Sequence, residues 1–290
     1  MSDFYGLPSL VLENEHLRLE YLAAAGPRIV RLGRQNQANL FAELPDFRIE
    51  TPLGPYSFLG GHRLWRSPEL MPETYTPDGE GVVVEKIEQG VRLTQASATG
   101  ISKSIEVRLA ADRAAVSLAH RLSNAGSGPV TLAPWALTMF RLGGVAILPQ
   151  PVGNADPQGL LPNRFTALWP YTQVNDPRLT WRDDFVLIHA APALPPVKIG
   201  YLNPHGWLAY WLDGTLFRKV SHPAGGPYPD GGCNAESYCN DKFVELETLG
   251  ALVTLEPGAS TDLAETWELY SGLDVPFLTD EVRAALTSLA

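Results

Sequence analysis

Glu245 and Glu247 stand two residues apart in the run Lys242-Phe243-Val244-Glu245-Leu246-Glu247. In an extended strand successive side chains point to opposite faces, so Phe243, Glu245 and Glu247 share one face while Val244, Leu246 and Thr248 share the other. Two carboxylates beneath an aromatic ring can accept from hydroxyl groups, and crowding pushes one pKa upward, which suits proton transfer. The competing account is a strand whose polar face simply meets water. A second group, Gly60-Gly61-His62-Arg63-Leu64-Trp65-Arg66-Ser67-Pro68-Glu69, gathers an imidazole, two guanidinium groups and an indole behind a flexible glycine pair. His62 can donate or accept near neutral pH, Arg63 and Arg66 can fork onto hydroxyl oxygens, and Trp65 can stack on a sugar face. Structural ion pairs and a core indole would use the same residues without any ligand.

The elements that must hold these residues read as strands. Leu17 to Tyr21, Val82 to Ile87, Gly90 to Gln95, Ile101 to Leu109 and Ala114 to Leu122 alternate apolar with polar residues, the period of a half-buried strand. The 26 Gly and 25 Pro leave little room for long helices. In Ala114 to Leu122 the alternation puts His120 on the apolar face with Val116, Leu118 and Leu122, which predicts a satisfied core histidine. Asn124 to Gly128 then form a turn before a returning strand, Val130 to Phe140. Asn154 to Pro177 reads as a long ordered excursion. From Thr279 the pattern becomes helical, with a capping Thr, acidic residues in the first turn and Val282, Leu286 and Leu289 on one stripe. The expected architecture is all-β, a large antiparallel sandwich with one short C-terminal helix, and residues 1–290 as a single domain.

Composition removes several functions. A net charge of -10 with no Lys/Arg cluster argues against nucleic acid and membrane partners. Residues 1–27 lack the basic and apolar regions of a signal peptide, and no apolar run reaches the roughly 18 residues of a membrane span, so a cytoplasmic location is expected. Cys233 and Cys239 read as free thiols. His16, His189, His205 and His222 show no metal-ligand spacing, and no metal or cofactor is expected. GxGxxG, GxxxxGK[ST] and GxSxG are all missing, which argues against dinucleotide, P-loop and α/β-hydrolase chemistry. Trp169, Tyr171, Trp181, Tyr201, Trp207, Tyr210 and Trp211 could furnish stacking platforms, although most suit a core.

The hairpin Leu122-Ser123-Asn124 to Pro129-Val130, leading into Thr138-Met139-Phe140-Arg141-Leu142-Gly143-Gly144, resembles a segment of the aldose 1-epimerases (galactose mutarotases). Leu255-Glu256-Pro257-Gly258 resembles the family's terminal Leu-x-Pro-Gly turn, which comes after the strand carrying its catalytic Glu. Asp213 to Lys219 and the Lys242 to Gly250 run look like an uncharacterised bacterial branch of the mutarotase-like superfamily. The resemblance implies an antiparallel supersandwich with a sugar cleft, Glu247 as general base and Glu245 as its fallback. It also places Leu137, with Trp135 nearby, where the family carries its acid histidine, and leucine cannot shuttle a proton. His62 would then substitute as the acid. The remaining substrate contacts are expected from Arg63, Arg66, Trp65, Trp135, Glu245, Lys242 and Asp213. Three functions are compatible with these residues: an epimerase acting on a small-molecule hexose or hexose derivative, a carbohydrate-binding protein that lost its acid, or a structural sandwich whose glutamates are merely solvated. Converging proton donors, a cleft without them, or glutamates far from any pocket would separate the three.

Overall fold

The structure, a computed structural model, describes residues 2–96 and 99–272. The C-terminal helix expected from Thr279 lies outside the described residues.

The first strands are β1 (Ser2–Phe4), β2 (Leu7–Glu13), β3 (Leu17–Leu22), β4 (Arg28–Arg34), β5 (Glu43–Thr51) and β6 (Gly54–Ser67). Then come β7 (Val82–Ile87), β8 (Gly90–Gln95), β9 (Ile101–Leu109), β10 (Ala115–Asn124), β11 (Val130–Phe140) and β12 (Val145–Pro149). The excursion and the segments after it carry β13 (Thr166–Leu168), β14 (Leu179–Trp181), β15 (Phe185–His189), β16 (Val197–Tyr201), β17 (Trp207–Leu212) and β18 (Thr215–Val220). The last are β19 (Ala235–Cys239), β20 (Val244–Leu249), β21 (Val253–Leu255) and β22 (Ser260–Ser271). They form two antiparallel sheets. The 12-stranded sheet runs β1-β2-β3-β4-β6-β11-β20-β19-β16-β13, with β5 on β6 and β21 on β11. The 10-stranded sheet runs β14-β15-β12-β17-β18-β22-β10-β9-β8-β7.

Period-two patterning explains how the sheets face each other. On β9, Ile101, Ile105, Val107 and Leu109 are buried while the serines, Glu106 and Arg108 between them are half-exposed. These side chains meet Leu19, Ile29, Leu64 and Phe140 of the large sheet in one core that also holds Phe217 and Trp267. Each such side chain stabilises the fold by about 1.5–3 kcal/mol through removal from water. The central strands β11 and β20 are buried on both faces. Their inward residues, Phe140, Val244 and Leu246, join this core. Their outward residues, Trp135, Leu137, Met139 and Leu249, together with Phe243 just before β20, build a second apolar cluster with Trp65, Tyr56 and Phe58 on the far side of the sheet. That outer face carries the site.

Gly60 and Gly61 are not the flexible pair expected from sequence. They sit inside β6, where the strand stops pairing with β5 (up to Gly60) and begins pairing with β11 (from Gly61). Both have positive φ, +84° and +67°. A Cβ on either would lie 2.0 Å from the backbone oxygen of Ala42 or Ile29 respectively. Glycine is required because the strand bends at close backbone approach, and that bend fixes Arg63 and Trp65 rather than loosening them.

Candidate functional site

Five adjacent strands of the large sheet align their side chains in one lateral row. Gly200 of β16 pairs with Glu236 of β19, Glu236 with Glu247 of β20, Glu247 with Leu137 of β11, and Leu137 with Arg63 of β6. One register step away, Lys198 pairs with Tyr238 and Tyr238 with Glu245. Glu247, Leu137 and Arg63 of the row, with Lys198, Tyr238 and Glu245, line a cavity of about 240 Å³ whose walls include Trp65, Trp135, Tyr75, Tyr171, Phe58 and Phe243. Glu245 and Glu247 do share a face with Phe243, as the spacing predicted, and all three line this cavity.

Charge is organised around Lys198, which sits between two indoles at 4.7 Å from Trp135 and 4.5 Å from Trp169. Its Nζ lies 2.7 Å from Glu236 Oε2 and donates to Glu247 Oε2 at 3.0 Å. Burial opposes the ammonium charge, but the carboxylates of Glu247 and Glu236 outweigh it and hold the Lys198 pKa well above its ordinary value. Two buried carboxylates thus share one cation. Burial pushes Glu236 well above the usual carboxylate range, with Glu247 adding to the effect against the pull of Lys198. On Glu247, Trp135 Nε1 donates to Oε2 at 2.9 Å beside the Lys198 bond. Its other oxygen, Oε1, is buried and has no partner. Such an oxygen carries a desolvation cost of about 1–3 kcal/mol unless something fills its place.

Arg63 stacks over Trp65 at 4.1 Å and lies 2.9 Å from Glu245 Oε1, a close ion pair in which the N–H is not aimed at the oxygen. Burial pushes the Glu245 carboxyl up to about 7, against the pull of Arg63. Burial also raises the phenol pKa of Tyr171 and takes that of Tyr238 to about 12, so both hydroxyls keep their protons at neutral pH.

The site therefore unites Arg63, Trp65, Trp135, Glu245 and Glu247 from the sequence-predicted set. The structure places the others elsewhere. Lys242 is exposed and pairs with Asp241 at 2.7 Å. Asp213 occupies the β17–β18 turn with positive φ and faces Arg141 at 3.3 Å. Arg66 alternates to the face opposite Arg63 and lies outside the cavity lining, half-buried, its pKa lowered by burial with Glu73 opposing.

His62 is also on that opposite face, fully buried between the sheets. Its Nε2 meets His120 Nε2 at 2.8 Å and its Nδ1 meets Thr138 Oγ1 at 2.9 Å. His120 Nδ1 meets the Leu263 carbonyl at 2.9 Å, which fixes that nitrogen as a donor. The order of donation then runs from Lys219 Nζ to Thr138, from Thr138 to His62, from His62 to His120, and on to Leu263. A role for His62 as acid at the cavity does not fit this position, and the cause is strand alternation: neighbours His62 and Arg63 cannot face the same way. His62, His120 and Glu265 place one ligand-type atom each within 4.8 Å of one another. Their atoms are already taken, since Glu265 accepts from Thr248 and Trp267 and pairs with Lys219. The cluster reads as a satisfied interior network, as predicted for His120.

Burial holds both imidazoles below their ordinary pKa, His120 adding to the effect on His62. Stability from this pair is present above the unfolded histidine pKa of about 6.5 and is lost as pH falls below it, because the unfolded chain then binds protons that the folded core excludes. Relative to His62→Gln, the wild type is expected to lose urea midpoint between pH 7.5 and 5.5, since the buried glutamates titrate in both proteins and cancel in the comparison. An unchanged pH dependence in that variant would show that the pair does not carry the effect.

The residues that sequence reasoning missed are Lys198, Glu236 and the phenols of Tyr75 and Tyr238. Lys198 carried a readable signal, a lone lysine between Val197 and Ile199 in an apolar strand.

No protein-family model matches the sequence, and no curated protein matches it. Solved structures do. A galactose mutarotase-like protein from Lactobacillus casei is 12% identical, with 91% of this chain and 100% of that chain covered at a TM-score of 0.57. A candidate mutarotase from Salmonella typhimurium is 13% identical, covering 92% and 91% at 0.58. A candidate aldose 1-epimerase from Escherichia coli is 14% identical, covering 92% and 100% at 0.53. The chain has the galactose mutarotase-like fold, an all-β sandwich with its polar cavity on the outer face of the larger sheet. Among the described residues no helix is long and apolar enough to cross a membrane.

Proposed function

We propose that the cavity binds the reducing end of a hexose or hexose derivative and interconverts its anomers by acid–base chemistry of the aldose 1-epimerase type. The observation that carries this reading is Glu247: Oε2 is pinned by Trp135 and Lys198, while Oε1, buried at the cavity, has no partner. A carboxylate oriented by two donors and open on its second oxygen is built to take a proton from a hydroxyl. The aromatic walls suit the apolar faces of a pyranose.

In the proposed step Glu247 Oε1 takes the proton of the anomeric hydroxyl as its O–H electrons form the C1 carbonyl. The C1–ring-oxygen bond breaks, and protonated Glu245 gives its proton to the departing ring oxygen. Arg63 then faces the carboxylate left on Glu245. Rotation about C1–C2 and the reverse transfers close the ring on the other face, returning both glutamates to their starting states.

A second reading, sugar binding without catalysis, is favoured by Leu137. It lies directly across from Glu247, at the position where the family resemblance places an acid histidine. Exchange NMR across a panel of free hexoses separates the two. Enhanced anomer exchange supports catalysis, sugar-dependent shifts without enhanced exchange support binding alone, and silence on both counts removes the sugar reading for that panel.

A further inference from the structure

The Glu247 cavity is not closed at its end. A second cavity of about 440 Å³ adjoins it, and the two share Glu69, Tyr75, Trp135 and Lys198 as common lining. Beyond the shared residues the second cavity is bounded by Met71, Trp169 and Asp230. The first, at 240 Å³, lies below the range of about 300–1,000 Å³ usual for drug-sized ligands, and its size suits a single sugar ring. The second is large enough for another.

Trp169 is a held wall rather than a loose surface indole. Its loop is tied to β16 by a reciprocal pair: Thr172 Oγ1 donates to the Lys198 carbonyl at 3.0 Å and accepts from the Lys198 amide at 2.8 Å. A Cβ at Gly200 would approach Trp169 to 3.2 Å, so the glycine leaves the indole room to lie beside Lys198. On the other side, the loop carrying Met71 is tied by Thr74 Oγ1, which accepts from the Leu70 amide at 2.9 Å. The cavity thus combines an indole and a thioether with the carboxylates of Glu69 and Asp230. A pyranose has the matching character, an apolar face to stack and hydroxyls to donate. Lys198, the one cation in its lining, is already held by Glu236 and Glu247. Nothing positive is left there to receive a phosphate, and the two acidic side chains repel one.

We infer that the second cavity is a subsite for an uncharged sugar substituent, which makes the substrate class a reducing disaccharide or longer glycan whose reducing ring enters the Glu247 cavity. This rests on the sugar-binding reading of that cavity.

The test is calorimetric titration of the full chain with glucose, galactose, glucose 6-phosphate, maltose, cellobiose and lactose. At least one disaccharide is expected to bind about tenfold tighter than its own reducing-end hexose, and glucose 6-phosphate no tighter than glucose. Trp169→Ala is expected to erase the disaccharide gain; because its indole also contacts Lys198, the urea midpoint shows that this variant is folded, and Met71→Ala, outside the Glu247 cavity lining, is the variant whose hexose affinity is expected to stay within about twofold. Met71→Ala, at an exposed loop position, is expected to reduce the gain in the same direction. Hexose binding with no disaccharide gain, or a gain that survives both substitutions, overturns the subsite alone. Failure of every sugar to bind overturns the sugar-binding reading and the subsite with it.

Discussion

Glu247→Gln is expected to slow anomer interconversion by about 10²–10⁴-fold, the usual worth of a positioned general base. The amide can still accept from Trp135, so the substitution keeps the shape of the cavity floor while removing the basic oxygen. Lys198 then loses one of its two carboxylate partners and keeps Glu236, 2.7 Å away. Burial is the main cause of the raised Glu236 pKa and Glu247 adds to it, so loss of the Glu247 charge lowers the Glu236 pKa and favours its pairing with the ammonium. This compensation limits the stability cost, so lost activity with a urea midpoint near that of the wild type is the expected pair of results. Saturation kinetics by exchange NMR would place the loss in kcat rather than KM, as expected for an interaction made in the transition state. A Glu247→Gln protein with undiminished exchange would remove the base from the proposal. A folded variant that loses sugar binding and exchange together would assign Glu247 to uniform binding instead.

How much of this was legible in the sequence depends on the distance over which each signal acts. Strand periodicity is local, and β7, β8 and β9 fall where alternation placed them. The shared face of Glu245 and Glu247 needed only the rule that a strand repeats every two residues. The same rule applied to Gly60–Arg66 separates His62 from Arg63. Grouping them by proximity in the chain put His62 in the cavity, whereas its side chain belongs to the core with His120. The glycine pair misled for another reason: two glycines look like freedom, but here they answer backbone atoms of Ala42 and Ile29, from strands that only the fold brings near. Glu236 was hidden, and Lys198 was legible only as a lone lysine in an apolar strand, because their meaning is relational. Neither is a motif by itself, and they become a shared-charge site only when β16, β19 and β20 are laid side by side. Trp169 and Tyr171 were visible as aromatics of the excursion, but their placement at the cavity depends on the tie between Thr172 and Lys198.

Glu245→Gln is expected to reduce exchange by about 10²-fold or more, and the pH profile identifies why. In the proposed step Glu245 must be protonated to serve the ring oxygen, and burial pushes its pKa up to about 7. Activity from this group is therefore present below about pH 7 and declines as pH rises above it, tenfold per pH unit once the carboxyl is mostly ionised. The residual activity of Glu245→Gln should lack that decline. If Glu245 only positioned Arg63, the substitution would lower activity at every pH and leave the decline in place. The same raised pKa carries a linked stability effect: the folded state keeps a proton that the unfolded chain gives up near pH 4.5, so stability from this group is full below that value and is lost as pH rises toward 7. The shift corresponds to a few kcal/mol at most, at about 1.4 kcal/mol per pKa unit. A buried carboxyl that weakens the fold at the pH where it is half-protonated is hard to account for by packing beside Phe243 and Met139. It is the arrangement expected where one strand must present a proton acceptor at Glu247 and a proton donor at Glu245 to the same sugar ring.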